Sequence, residues 1–97
     1  MAYIHNDSEW TMELQSLKYF LAVVDAGSFS AAARSQNITQ PALTKRVRLL
    51  EEELGVRLFD RLPRGVSTTS YGEALAGHAR LIRSEVENAS ADIDSLR

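Results

Sequence analysis

A two-faced helical pattern between Thr39 and Leu54 restricts the fold of this chain more than any other sequence feature. Its apolar residues recur at steps of four and three, so they share one side of a helix and are expected to be buried: Leu43, Val47, Leu50 and Leu54. The other side carries Gln40, Thr44 and Arg48, with Pro41 and Lys45 beside them. Thr39 suits the N-cap, and Pro41 falls in the first turn, where its missing N–H costs nothing. The pattern predicts one amphipathic helix whose N-terminal half is polar on its exposed side.

The charges on this helix run against the helix dipole. Basic residues fill the leading half and three glutamates, at 51–53, fill the trailing half, whereas the dipole favours the opposite order. Such a helix suits an approach of its N-terminal end to DNA, because recognition helices contact base edges with their N-terminal residues. It equally suits a solvated helix in which Arg48 pairs with Glu52 one turn later. The helix alone leaves both interpretations open.

Basic residues are concentrated in the middle of the chain, although its net charge is −2. Between positions 34 and 64 seven basic residues face four acidic ones; the basic ones are Arg34, Lys45, Arg46, Arg48, Arg57, Arg61 and Arg64. Both ends are acidic. A local excess of positive charge is what a polyanionic partner requires.

Several classes of protein are disfavoured by the sequence. The 97 residues suit one domain, and the absence of cysteine excludes disulfides and thiolate metal sites. This absence agrees with a reducing, cytoplasmic location, and neither a signal peptide nor a membrane span is recognisable. The two histidines, His5 and His78, are far apart, and no catalytic triad, phosphate-binding loop or metal-ligand spacing occurs. We therefore expect no enzyme activity and no cofactor.

Helical patterns precede the central helix, after a first stretch (1–11) that is expected to be a mobile extension. Leu14 to Ala26 forms a first predicted helix that ends at Gly27; its expected buried stripe is Leu14, Leu17, Phe20 or Leu21, and Val24. Ser28 is the expected cap of a second helix from Phe29 to Gln36, and Asn37-Ile38 turns the chain. A short turn between the second and third helices is typical of a helix-turn-helix.

A hairpin is predicted directly after the third helix. Val56 to Asp60 and Val66 to Thr69 favour two short strands, and Leu62-Pro63-Arg64-Gly65 has the residues of a turn. Arg61 and Arg64 place positive charge on it. It is therefore either a DNA-binding wing or a plain connecting hairpin.

The last segment predicts a long helix from Tyr71 to about Leu96, capped by Ser70. An unbroken heptad seam runs along it: Leu75, Ala79, Ile82, Val86, Ala89, Ile93 and Leu96. A helix of this length extends roughly 40 Å, which is more than a domain of this size can cover. We therefore predict a homodimer through this seam. The alternative is that the seam covers the domain's own core, which can apply to Leu75 and Ala79.

These segments together resemble the DNA-binding region of LysR-type bacterial transcriptional regulators from Leu14 to Arg97. The resemblance rests on motifs distributed over the chain: Phe20-Leu21-Ala22-Val23, Gly27-Ser28-Phe29, Ala32-Ala33, Thr39-Gln40-Pro41-Ala42-Leu43-Thr44, Leu50-Glu51-Glu52-Glu53-Leu54-Gly55, Leu58-Phe59-Asp60-Arg61, Arg64-Gly65-Val66 and Thr69 with Gly72. It implies a mainly α fold, with a winged helix-turn-helix of three helices and a two-stranded wing at 12–69. A long linker and dimerisation helix would follow at 70–97. In this family a large effector-binding domain comes next, so a small-molecule effector is expected only through a domain outside these residues.

The resemblance also implies which residues meet double-stranded promoter DNA. It places Gln40, Pro41, Ala42, Thr44 and Lys45 in the groove, Thr39 at a phosphate and Arg64 on the wing. Ser28, Arg34 and Arg48 complete the predicted DNA-binding set. The chain departs from the family pattern at Gln36, where leucine is usual, and at Lys45, where arginine is usual. The implied function is a dimeric, sequence-specific regulator of transcription that binds an interrupted palindrome; the alternative is a winged helix that contacts only protein.

Overall fold

The computed structural model describes residues 12–97, so the expectations for residues 1–11 lie outside the described part. The elements are α1 (Leu14–Ala26), α2 (Phe29–Gln36), α3 (Gln40–Leu54), β1 (Phe59–Arg61), β2 (Val66–Thr68) and α4 (Ser70–Ser95). The strands form an antiparallel ribbon in which Asp60 lies opposite Ser67. The predicted fold class, three helices and a two-stranded wing followed by a long helix, is confirmed.

Local capping sets the boundaries of the first three helices. Gly27 ends α1 in the left-handed conformation, and the Ser28 hydroxyl accepts a hydrogen bond from the Ala31 N–H at 3.1 Å to begin α2. Asn37 ends α2 at φ 57°, a conformation that asparagine tolerates better than most residues. The Thr39 hydroxyl then accepts from the Ala42 N–H at 3.2 Å. The short turn between α2 and α3 therefore follows from residues that lie within the turn itself.

The core lies where α1 packs against the other three helices. Its most completely buried large side chains are Phe20, Val23, Leu43, Leu50 and Leu58. Burial on α1 extends beyond the predicted stripe to Tyr19 and Val23, since helices contact α1 on several sides. The prediction for Leu14 was wrong: this side chain is exposed because the first turn of α1 borders an open groove. Leu54 and Val24 are only half-buried.

The strands of the wing differ from the predicted ones: β1 begins three residues later and ends one residue later, at Arg61, and β2 ends one residue earlier. Val56 is not in β1, because its N–H and that of Gly55 donate to the Glu51 carbonyl at 3.2 and 2.8 Å and extend the end of α3. The Glu51 carboxylate then accepts from the Leu58 N–H at 2.7 Å. At the other end, Thr69 is not part of β2, because it is the N-cap of α4. The Phe59 ring anchors the base of the wing in the core, 5.3 Å from Phe20 and 5.7 Å from Phe29 between ring centroids.

The long helix α4 begins at Ser70, and its cap is Thr69 rather than Ser70. The Thr69 hydroxyl accepts from the Gly72 N–H at 3.1 Å and donates to the Arg57 carbonyl at 2.6 Å, so one side chain joins α4 to the base of the wing. Gly72 packs so closely on the Leu58 carbonyl that a Cβ there would lie 2.2 Å from its oxygen. The first part of α4 is thereby fixed to the domain, whereas every residue from Arg80 to Arg97 is exposed.

Candidate nucleic-acid interface

The N-terminal half of α3 presents its polar side to solvent. Gln40, Pro41, Ala42, Lys45 and Arg48 are exposed, and Thr44 is half-buried. The opposite side is fixed by Leu43, Val47 and Leu50, each at most 2% exposed. The buried side therefore sets the rotation of the helix, and the polar side is rigidly displayed.

Intramolecular ion pairs divide the cations of the chain into two groups. Within residues 12–97, carboxylates pair with Arg46, Arg57, Arg80 and Arg97. None pairs with the predicted DNA-binding cations, which are Arg34, Lys45, Arg48 and Arg64, nor with Arg61 of the wing. The Arg48–Glu52 pair considered from the sequence is absent from the described residues. Within residues 12–97, the cations without a carboxylate partner are thus Arg34, Lys45, Arg48, Arg61 and Arg64, together with Lys18 and Arg83.

Arg46 shows why charge on α3 is not all equivalent. Its guanidinium lies 3.2 Å from a Glu13 carboxylate oxygen and 5.8 Å from the centre of the Tyr19 ring. It therefore stacks on α1 rather than extending to the polar side of α3. Only the fold reveals this, because Glu13 and Arg46 are far apart in the sequence.

Two capping hydroxyls lie at helix starts with their own protons unused within the described residues. Ser28 and Thr39 each accept a backbone N–H through the hydroxyl oxygen. A hydroxyl that accepts in this way still has one proton to donate. Both residues can therefore cap a helix and donate to a phosphate oxygen at the same time.

The wing brings Arg64 close to the beginning of α2. The Leu62 N–H donates to the Gly65 carbonyl at 3.0 Å and closes the tip, and the Val66 N–H donates to the Gly27 carbonyl at 3.0 Å. The second bond joins the tip to the residue that precedes Ser28. Arg64 itself is exposed. Two predicted DNA-binding residues from distant parts of the sequence are thus brought together.

The predicted dimerisation seam divides into a covered part and an open part. Ala79 is 1% exposed and belongs to the domain's own core, and Leu75 packs against that core, so the prediction that Ala79 lies on a free seam was wrong. The exposed seam residues are Ile82, Val86, Ala89, Ile93 and Leu96. A groove lies beside them between α1 and α4. Its α1 wall, which includes Leu14, Lys18 and Leu21, was not predicted from the sequence.

Other kinds of site lack support in the described part of the chain. Residues 12–97 contain no group of three or more histidine, cysteine, aspartate or glutamate side chains that could hold a metal ion. Each helix in these residues is too short or too polar to span a bilayer.

Comparison with known proteins identifies the family. The family model described as "Bacterial regulatory helix-turn-helix protein, lysR family" matches residues 14–73. The transcriptional regulator TfdT of Cupriavidus pinatubonensis is 42% identical over 79 residues, which are 81% of this chain and 35% of TfdT. The chain thus spans about a third of the length of that relative.

Solved structures agree in fold over most of the chain. The BenM DNA-binding domain in complex with benA site 1 DNA superposes with a TM-score of 0.84 at 39% identity, covering 88% of this chain and 96% of that one. The CbnR DNA-binding domain in a DNA complex gives a TM-score of 0.77 at 40% identity, covering 88% and 97%. TfdT is named an HTH-type transcriptional regulator, and CbnR is described as a LysR family transcriptional regulator. On the matched helix-turn-helix and the shared fold, the chain belongs to the lysR family of bacterial regulatory helix-turn-helix proteins.

Proposed function

We propose that this chain is the DNA-binding part of a dimeric, sequence-specific transcriptional regulator that recognises an interrupted palindrome in promoter DNA. The observation that carries the proposal is the division of the cations: those on the polar side of α3 and on the wing have no carboxylate partner within residues 12–97. The BenM and CbnR domains, which share the fold, are bound to DNA. A winged helix that contacts only protein has no need of this arrangement.

Each side chain of the proposed interface has a role that follows from its chemistry. Gln40 and Thr44 lie one turn apart on α3 and would contact base edges, with Pro41 and Ala42 against the groove. Four cations would contact phosphates: Arg34, Lys45, Arg48 and Arg64. Ser28 and Thr39 would donate their free hydroxyl protons to phosphate oxygens. Lys45 supplies a point charge, since it lacks the bidentate geometry of arginine.

The salt dependence of binding tests the proposed phosphate contacts. A duplex selected from random DNA is titrated by fluorescence anisotropy at several salt concentrations. Affinity falls as salt rises, and each phosphate contact contributes about 0.9 to the magnitude of the slope of log K against log salt, which we call the salt slope. Arg48→Gln should therefore lower the salt slope by about 1, so that binding depends less on salt. Arg80→Gln is the matched control, because Arg80 is paired with Asp25 at 3.1 Å where α4 leaves the domain. Equal slopes for both variants and the parent would refute the phosphate role, and no DNA binding at all would favour the protein-contact alternative.

The dimer is proposed to form through the exposed seam of α4. The family resemblance implies an antiparallel pair, and the spacing of the exposed seam residues fits one register: Ile82 opposite Ile93, and Val86 opposite Ala89. In this register the larger Val86 side chain meets the small Ala89. Leu96, which is 83% exposed in the single chain, would enter the partner's groove beside Ile82. Burying such side chains favours association.

A charge on the seam tests the dimer. Val86→Glu combined with Ile93→Glu should give a folded monomer, because both side chains are exposed in the single chain and an unpaired charge buried in an interface costs several kcal/mol. Leu81→Glu is the matched control; Leu81 is exposed on the same helix but is not in the seam. Light scattering that shows an intact dimer for the double variant, or a monomer for Leu81→Glu, would contradict this interface.

Two further features of the whole protein belong to the proposal. A small-molecule effector would act through a domain outside these residues, in keeping with the length of TfdT relative to this chain. Binding to promoter DNA requires a cytoplasmic location. We also propose that the winged helix-turn-helix comprises residues 12–69 and the linker helix residues 70–97.

A further inference from the structure

The tip of the wing rests on the turn between α1 and α2. Gly65 has φ +81°, and an added Cβ there would lie 2.3 Å from the Gly27 carbonyl oxygen. The same oxygen accepts the hydrogen bond from the Val66 N–H at 3.0 Å. Glycine at position 65 therefore meets two demands at once, a left-handed backbone and a contact too close for any side chain.

The two ends of the wing are held in different ways. Its base is fixed by the Phe59 ring in the core and by the hydrogen bond that the Glu51 carboxylate accepts from the Leu58 N–H. Beyond the base, the Val66–Gly27 bond is the one backbone hydrogen bond in residues 12–97 that joins the hairpin at 59–68 to the helix-turn-helix. The direction of the tip therefore depends on this contact more than on any other backbone bond.

We propose that Gly65 is a positioning residue for DNA binding: its close contact with the Gly27 carbonyl holds Arg64 at a fixed place relative to Ser28 and α3. The inference rests on the proposed function, in which Arg64 and Ser28 both contact phosphates. Because Gly27 directly precedes Ser28, the contact fixes the backbone of Arg64 near the backbone of Ser28, although the two residues come from opposite sides of α3 in the sequence. A contact made in the free protein spares the wing from ordering when DNA binds.

A double-mutant cycle tests this coupling through the salt slope of DNA binding. Arg64→Ala, Gly65→Ala and the double variant are compared by anisotropy on one duplex. Arg64→Ala should lower the slope by about 1. Gly65→Ala should lower it by the same amount although it removes no charge, and the double variant should show no further decrease. A purely structural role for Gly65 would change the melting temperature and leave the slope as it is.

Backbone strain needs its own control, because alanine at a positive φ is strained wherever it occurs. Gly55 is the matched position: its φ is +72°, and an added Cβ there meets no atom within 4 Å. Gly55→Ala should lose stability and keep the full effect of Arg64→Ala on the slope. Gly65→Asn is the second variant, since asparagine tolerates a positive φ and still introduces the colliding Cβ.

The outcomes separate this inference from the proposed function. If Arg64→Ala still lowers the slope in the Gly65→Ala or Gly65→Asn background, the positioning role is overturned and the wing's phosphate contact stands. If Arg64→Ala has no effect in the parent protein, both are overturned. If neither Gly65 variant folds, as judged by circular dichroism, the contact is a requirement of the fold rather than of wing position, and the inference is equally overturned.

Discussion

Replacing Gln40 with alanine separates base reading from every other contribution of α3. The Gln40 side chain is exposed and makes no hydrogen bond within residues 12–97, and the helix start is capped independently by Thr39. The free energy of unfolding should therefore change by no more than about 0.5 kcal/mol, as at ordinary surface positions. Any larger effect on DNA binding would then belong to the interface.

The expected loss follows from the contact that glutamine makes in the major groove. A bidentate pair between glutamine and adenine N6 and N7 contributes about 1–3 kcal/mol of discrimination, which is a factor of about 5 to 150 in Kd. Gln40→Ala should weaken binding to the selected duplex by that factor and should leave binding to random DNA nearly unchanged. The salt slope should be the same as in the parent, because no charge has been removed.

The assay is a pair of anisotropy titrations, one with the selected duplex and one with random DNA, at one salt concentration. Thermal melting of the variant serves as the folding control. Equal losses on both DNAs would show that Gln40 does not read a base. It would then act only by solvating the start of α3.

Three further predictions come from contacts that the fold creates. Arg46→Ala should lower the free energy of unfolding by no more than about 1 kcal/mol, as expected for an exposed ion pair. It should leave the DNA salt slope unchanged, because Arg46 faces Glu13 and Tyr19. A salt slope lowered by about 1 would show that Arg46 also binds phosphate. Ala79→Glu should unfold the domain, whereas Ile93→Glu should leave it folded, since Ala79 is 1% exposed and Ile93 is 57% exposed. Similar circular dichroism spectra for the two variants would contradict the core position of Ala79. Thr69→Val should lower the melting temperature, because it removes the α4 cap and the hydrogen bond to the Arg57 carbonyl. Loss of the cap alone should lower the free energy of unfolding by about 1 kcal/mol, and an unchanged melting temperature would refute this prediction.

The helix-turn-helix was accessible from sequence because its signals are local. Ser28 and Thr39 cap the helices that directly follow them, and Gly27 and Asn37 end the helices that directly precede them. The polar side of α3 follows in the same way, since the period of a helix fixes which residues oppose Leu43, Val47 and Leu50. The strand limits were predicted less well, because β1 is shortened by Glu51, which lies eight residues before it.

The sequence by itself thus determined the order of the elements, the polar side of α3 and the heptad seam of α4. Only the tertiary structure decided which parts of those surfaces are free. In the fold, Arg46 pairs with Glu13 and is not available on the polar side of α3. Ala79 lies in the core, and Gly65 packs against the Gly27 carbonyl beside Ser28. Caps and helical periods act over a few residues, so they can be recognised in the sequence. Which distant residues meet depends on how the helices pack around Phe20 and Leu43, and that is a property of the whole fold.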